Sequence, residues 1–344
     1  MHFFISVMFF LFILFFYIHL QYQYKTSDDL EIYELDYTTN QQLQEICHLK
    51  QPVLFQLDQF KDVEPFFEMI SLRREGDVNV KDIRDYYKTT NTSVDTISLS
   101  FSSAYGLMDT DTKGHFFSEN NSDFVREKGN SNFLKIDNYL ASPWILHKQY
   151  DLLFGSKNTR TPLKYHTETG RFLIVSTSSI PIPKESSFIC IKMTPWKNRK
   201  YLEVKKDFEN YEFWSTIDIW NYPPDKIKCL EFNVNEGFAV YIPPYWFYSI
   251  EFPNPSISVA SFTYSSGMNI VSNLSNIGLY FLQQNNIKDL GNWKNIKNVL
   301  YSDSTSKVLL KNDDYEKKEN EDTKIKEEVE TKDEVQEMLS VITK

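Results

Sequence analysis

Between Cys229 and Phe252 the chain reads CLEFNVNEGFAVYIPPYWFYSIEF, a stretch that leaves little room for anything but paired strands. Leu230, Phe232 and Val234 alternate with Glu231 and Asn233, the period of a half-buried strand. Asn235-Glu236-Gly237 supplies turn chemistry, with Gly237 free to take a positive φ. Phe238 to Ile242 is an unbroken apolar run suited to a fully buried strand. Pro243 and Pro244 end its ladder, because neither has an N–H to give. A further strand from Tyr245 to Phe252 puts Trp246, Tyr248, Ile250 and Phe252 on one face and Tyr245, Phe247, Ser249 and Glu251 on the other.

The rest of the chain fills in around that pattern. QPVLFQLD at 51–58 reads as a buried strand, and FLIV at 172–175, FICI at 188–191 and Ile257 to Tyr264 as further strands. Ile97, Leu99 and Phe101 alternate with serines, which predicts a half-buried strand over Thr96 to Ser102. Helical spacing is read at Thr39 to Leu49, within Phe60 to Arg84, over Leu134 to Tyr150 with a break at Pro143, and over Asn269 to Gln284. Asp109 to Asn132, rich in Asp, Asn, Ser and Lys, reads as a long surface loop. Trp196 to Trp220 shows no period. The fold class expected is mostly β with flanking helices, and 344 residues with 16% aromatics are enough for a sizeable core.

Phe3 to Leu20 is an apolar run without formal charge. At ~1.5 Å per residue it reaches nearly 30 Å, about the hydrocarbon thickness of a bilayer. No Lys or Arg precedes it and no small-residue cleavage site follows, which favours a single-pass anchor over a cleaved signal peptide. His19 is placed to snorkel beside Tyr22 and Tyr24. The side of the membrane is left open. The expected organisation is an anchor over 1–24, a linker and short helix over 25–50, a domain over 51–302 and an acidic tail over 303–344. Residues 311–344 hold seven Lys against twelve acids, half of the net charge of −10. Val335, Met338, Leu339 and Ile342 line one stripe of a short helix there, either a frayed end or a dock for a protein partner. An acidic chain is a poor match for nucleic-acid phosphates. Cys47, Cys190 and Cys229 have no metal-ligand spacing, and Cys190 and Cys229 read as buried free thiols.

Ile242-Pro243 followed by Trp246-Phe247-Tyr248-Ser249-Ile250, together with DLLFGSKNTRTPLKYHTETGRFLIV from Asp151 to Val175, resembles the cupin-like, JmjC-related double-stranded β-helix of the type encoded by large DNA viruses. The resemblance spans roughly Gln51 to Gln284. It implies a barrel that holds Fe(II) by two His and a carboxylate, with 2-oxoglutarate as co-substrate. In that family TP-x-H-x-D carries the first two ligands and IP-x-x-W-W-H the last. Matched residue by residue, Lys164 stands for the first His, His166 for the carboxylate and Tyr248 for the last His. A serine, Ser186 or Ser187, falls where a carboxylate-binding Lys is expected.

The resemblance therefore leads to three readings. The first is a membrane-tethered, non-catalytic binding or interaction module without a metal or cofactor, its degenerate site marked by Lys164, His166 and Tyr248, with Glu168, Trp246 and Tyr165 as pocket residues. The second is an Fe(II)/2-oxoglutarate oxygenase holding the metal through His166 and Glu168, two residues apart on one strand face. It needs a further ligand, and only His115 or His147 is left to supply one near the mouth. The third is a structural membrane protein of a virion or virus factory. Plainer roles stand beside these: Lys164 snorkelling from an edge strand, His166 hydrogen-bonded near the opening, Tyr248 in the core with its hydroxyl satisfied, and Trp246 and Phe247 as packing. A Lys–His–Tyr cluster suits a small anion, or imine chemistry at the Lys. Phosphate-loop, dinucleotide, nucleophile-elbow, zinc-protease and C-x-x-C motifs are absent from the sequence. Asn91, Asn120 and Asn273 open N-x-S/T triplets.

Overall fold

A computed structural model describes residues 2–57, 76–88, 93–128, 130–177, 187–221 and 226–285. The chain divides into two compact units, Met1–Phe281 and Leu282–Lys344. Of the second, only 282–285 are described, so the expected boundary at 302/303, the acidic tail and its stripe lie outside the described residues. So does most of the helical spacing expected between Phe60 and Arg84.

The first helix, α1 (His2–Tyr24), buries none of its residues and is long and apolar enough to cross a membrane. The segment expected to be a linker is partly strand: β1 (Tyr33–Leu35) pairs in parallel with β2 (Val53–Gln56). Between them α2 (Asn40–Cys47) begins where the Thr39 hydroxyl accepts from the Gln42 N–H. An N-cap of this kind satisfies one of the orphan donors of a helix start.

Asp77 to Leu140 departs furthest from expectation. It holds β3 (Asp77–Asp82), α3 (Ile83–Tyr86), β4 (Ile97–Ser100), α4 (Phe101–Thr110), β5 (Phe116–Ser118), α5 (Ser122–Lys128) and α6 (Asn130–Leu140). The half-buried strand at 96–102 ends at Ser100. That residue caps α4, Phe101 is already helical, and Ile97 is exposed. The loop expected over Asp109 to Asn132 is instead the end of α4, β5, α5 and the start of α6. The helix expected through Tyr150 stops at Leu140, and β6 (Ile145–Gly155) follows.

The remaining strands are β7 (Thr159–Arg160), β8 (Lys164–Tyr165), β9 (Gly170–Thr177), β10 (Phe188–Thr194), β11 (Val204–Asp207), β12 (Glu212–Ser215), β13 (Leu230–Asn235), β14 (Phe238–Ile242), β15 (Phe247–Phe252) and β16 (Ile257–Ser266). A short helix, α7 (Gly267–Ser272), follows, and 274–285 are helical. One sheet runs β1-β2-β14-β9-β16-β6-β5-β3-β4 and the other β11-β12-β8-β15-β10-β13, with β7 beside β15.

Alternation explains how the two sheets stack. Leu173, Val175, Val240, Ile242, Ile257 and Val259 of the first sheet meet Ile189, Ile191, Val234, Trp246, Ile250 and Phe252 of the second in one core. Their neighbours Phe172, Ile174, Tyr241, Ala260 and Phe262 point the other way, into a core closed by α2, α4 and α6. Beyond the second sheet, Leu163, Tyr165, Phe213 and Phe247 pack against Leu202 and Ile219. The architecture is mixed α and β, with two face-packed sheets and helices over one of them. The turn at Gly237, with φ of 82°, carries the chain from β13 in one sheet to β14 in the other.

Candidate functional site

β8 is held between β12 and β15. Lys164 lies across from Trp214 on one side and from Tyr248 on the other. The edge-strand role for Lys164 therefore fails: the residue sits inside the sheet and is only 8% exposed. His166 follows two residues later, its ring centroid 6.4 Å from that of Tyr248. The three positions picked out by the motif do converge. What they converge on is a set of other charges.

Lys164 Nζ contacts Glu119, Glu212 Oε2 at 3.2 Å and the Tyr86 hydroxyl at 3.1 Å. Lys81 Nζ contacts the same two acids, Glu119 Oε1 at 3.1 Å and Glu212. The Tyr86 hydroxyl donates to Glu212 Oε2 at 2.8 Å, and the Asn120 amide to Glu212 Oε1 at 2.5 Å. Two ammonium and two carboxylate groups thus form a closed, neutral ring in which every charge touches both opposite charges. Burial alone lowers the Lys81 pKa, but Glu212 and Glu119 more than offset it and raise it above its ordinary value. Burial likewise opposes the Glu212 charge, and Lys164 and Lys81 overcome that to hold its carboxyl well below the usual range. Such a ring is stable only while complete, because each member removed leaves an uncompensated buried charge.

Glu119 follows β5 and Lys81 lies on β3 in the first sheet, whereas Lys164 and Glu212 belong to the second. The ring therefore rivets the two sheets together. Sequence reasoning missed Lys81, Tyr86, Glu119 and Glu212. The two acids sit in stretches read as loop or as lacking a period, where no local pattern marks an acid as buried.

A second cluster lies beside the ring. His166 Nε2 donates to the Ile242 carbonyl at 3.0 Å, and Nδ1 stands 3.3 Å from Glu168 Oε2 with no hydrogen bond of its own. Burial lowers the His166 pKa. For Glu168, burial is outweighed by His166 and Arg171, and its pKa falls to about 2. Arg171 Nη1 donates to the Tyr248 hydroxyl at 2.6 Å, so the expected satisfaction of that hydroxyl comes from a guanidinium. Trp246 is fully buried in the core between the sheets, its indole N–H without a partner. Tyr165 points the opposite way, stacked on Phe213 at 5.2 Å, and lines a cavity of about 280 Å³ with Thr167 and Tyr245. Tyr165 and Trp246 therefore do not share a pocket with Lys164.

The donor set does not fit ferrous iron. That ion wants neutral imidazole and carboxylate oxygens. Here two of the three positions carry an ion-paired ammonium and a phenol, and a guanidinium stands against the phenol. One nitrogen of His166 is committed to a carbonyl. Among the described residues, no group of three or more His, Cys, Asp and Glu is placed to hold a metal ion, so His115 and His147 do not complete one. Ser187 is buried and offers no charge to an oxo-acid, while Ser186 lies outside the described residues. Imine chemistry at Lys164 is disfavoured too, since an ammonium paired to two carboxylates is not a free amine.

Two of the N-x-S/T triplets are structural. The Asn120 side chain belongs to the ring, and buried Asn273 donates to the Thr167 carbonyl at 3.1 Å. Asn91 lies outside the described residues. Cys47, Cys190 and Cys229 are free thiols, the first two buried and Cys229 half-buried. No family model and no curated protein matches this sequence.

Proposed function

We propose that the chain is a membrane-tethered, non-catalytic binding or interaction module built on a double-stranded β-helix. The barrel is supported by strand order: β8, β9 and β10, then β13, β14, β15 and β16, switch between the two sheets in the manner of a wound β-helix. The tether is supported by α1, whose Phe3, Phe9, Phe10, Phe12 and Phe15 are all exposed and lie around the whole helix, an all-round apolar surface of the kind that spans a bilayer. One observation carries the absence of catalysis: the amine at the first ligand position is locked into a neutral ring with Lys81, Glu119 and Glu212.

Full-length protein purified in detergent, equilibrated anaerobically with Fe(II) and freed of excess metal, tests this. Bound iron well below one equivalent, with no 2-oxoglutarate decarboxylated, is the expected result. Iron near one equivalent that disappears in His166→Ala would establish the oxygenase reading through His166 and Glu168 instead.

A further inference from the structure

The end of α1 is joined to the folded unit rather than hung from it. The Tyr24 hydroxyl donates to the Ser272 carbonyl at 2.5 Å, and that of Tyr22 to the His48 carbonyl at 3.1 Å. Buried Lys50 donates to the carbonyls of Tyr22 and, at 3.4 Å, Gln23. At this joint lies a cavity of about 1010 Å³, at the upper end of the ~300–1,000 Å³ usual for small-molecule sites. Ile18 and Tyr22 of α1 form one wall, Phe172 and Tyr241 the floor, and Trp144 and His48 parts of the rim.

Two features select the kind of molecule that fits. The apolar part continues outward: Trp144 is 82% and Leu146 74% exposed, and Val271 and Leu274 are exposed on the neighbouring helices. Ile18 is within a turn of Leu20, where the uncharged run of α1 ends, so the cavity sits at the level where headgroups meet acyl chains. Its polar part holds hydrogen-bond donors, the Lys50 ammonium and the His19 and His48 imidazoles, beside one acid, Glu45, among the described lining residues. A wall that is greasy on the bilayer side, with an ammonium and imidazole donors at the rim, matches the acyl chain and phosphate of a phospholipid.

We propose that this cavity holds one acyl chain of an anionic membrane phospholipid, with the phosphate at His48 and Lys50. The inference rests on α1 spanning a bilayer.

The test uses the full chain in nanodiscs of phosphatidylcholine with a trace of phosphatidylglycerol carrying a diazirine on one acyl chain. After irradiation, labelled peptides are mapped. Label on Phe172, Tyr241 or Ile145 as well as on α1 is expected. Filling the cavity by Ser142→Trp should weaken the label inside it roughly tenfold while leaving α1 labelling unchanged. Trp144→Ala, at an exposed position that carries no folding load, should weaken it too. Label confined to α1 overturns the lipid site and leaves the membrane span standing. No label on α1 overturns the span and the site with it. Equal displacement of the probe by unlabelled phosphatidylcholine and phosphatidylglycerol overturns the anionic selection.

Discussion

Lys164 and Tyr248 face each other as direct cross-strand partners of β8 and β15, yet their polar ends serve different charges. The amine turns to Glu119 and Glu212, while the phenol accepts from Arg171. In an antiparallel ladder such neighbours stand ~5 Å apart at Cβ and ordinarily act together. Here the ladder is a divide between a closed ion-pair ring and a guanidinium–histidine–carboxylate group.

Breaking the ring from one side should be costly. Lys164→Met leaves two buried carboxylates sharing one ammonium, and the expected loss is about 3–5 kcal/mol. Adding Glu119→Gln restores neutrality, so the double variant should be more stable than Lys164→Met alone. Urea midpoints of the wild type and the two variants check this, and a double variant no better than the single would show that the ring is not a unit.

Acid should dissolve both clusters. Glu212 and Glu168 have folded-state pKa values below their ordinary 4.5. Their contribution is therefore complete above pH 4.5 and is lost as pH falls beneath it toward the folded values. For Glu168, held at about 2, the loss is on the order of 3 kcal/mol. His166, lowered by burial, adds a loss that begins earlier, as pH falls below 6.5. Asp151 works the other way: burial raises it to about 6, so its burial cost is relieved between pH 6 and 3.8. A melting temperature that drops steeply below pH 4.5, and less steeply in Glu168→Gln, is the expected profile.

Much of the frame was legible in the sequence. Alternation over Leu230 to Val234 and Trp246 to Phe252, with the apolar run Phe238 to Ile242 between them, gave three strands with the correct faces. The last begins at Phe247, because Tyr245 turns at a φ of 65°. Lys164, His166 and Tyr248 were picked out by the resemblance alone, which aligned the two segments; alternation did not bring them together. Their partners were not picked out. Glu119 lies 45 residues and Glu212 48 residues from Lys164 in the chain, each in a polar neighbourhood that reads as surface. Burial of an acid is decided by the lysine that meets it in three dimensions. Arg171 was missed as well, although it left a signal: a charge set directly before the apolar FLIV run and on the same strand face as Leu173 and Val175.

The sheet-crossing turn gives a local test. Gly237 holds φ at 82°, where a Cβ meets backbone, so Gly237→Ala should cost about 1–2 kcal/mol. Because this turn links β13 and β14 across the two sheets, the loss should appear as a uniform fall in the denaturation midpoint, with the slope of the transition unchanged.

The joint between α1 and the folded unit hangs on Lys50. Its ammonium is buried, sits 4.2 Å from the Tyr22 ring centroid, and donates to the Tyr22 and Gln23 carbonyls at the end of α1, the first of which also accepts from the Lys25 N–H. Burial first, and Lys25 second, lower its pKa to about 8, so the unit bears a cost for keeping that charge which fades as pH rises from 8 toward 10.5. A group held at such a cost must return it in contacts, and here those contacts are the joint itself. Lys50→Met should therefore speed amide exchange from Gln23 to Ser27 by roughly tenfold or more, about 1.4 kcal/mol of local opening. Lys50→Arg, which keeps charge and donors, should restore most of the protection. Unchanged exchange in Lys50→Met would mean that Tyr22 and Tyr24 hold the helix without it.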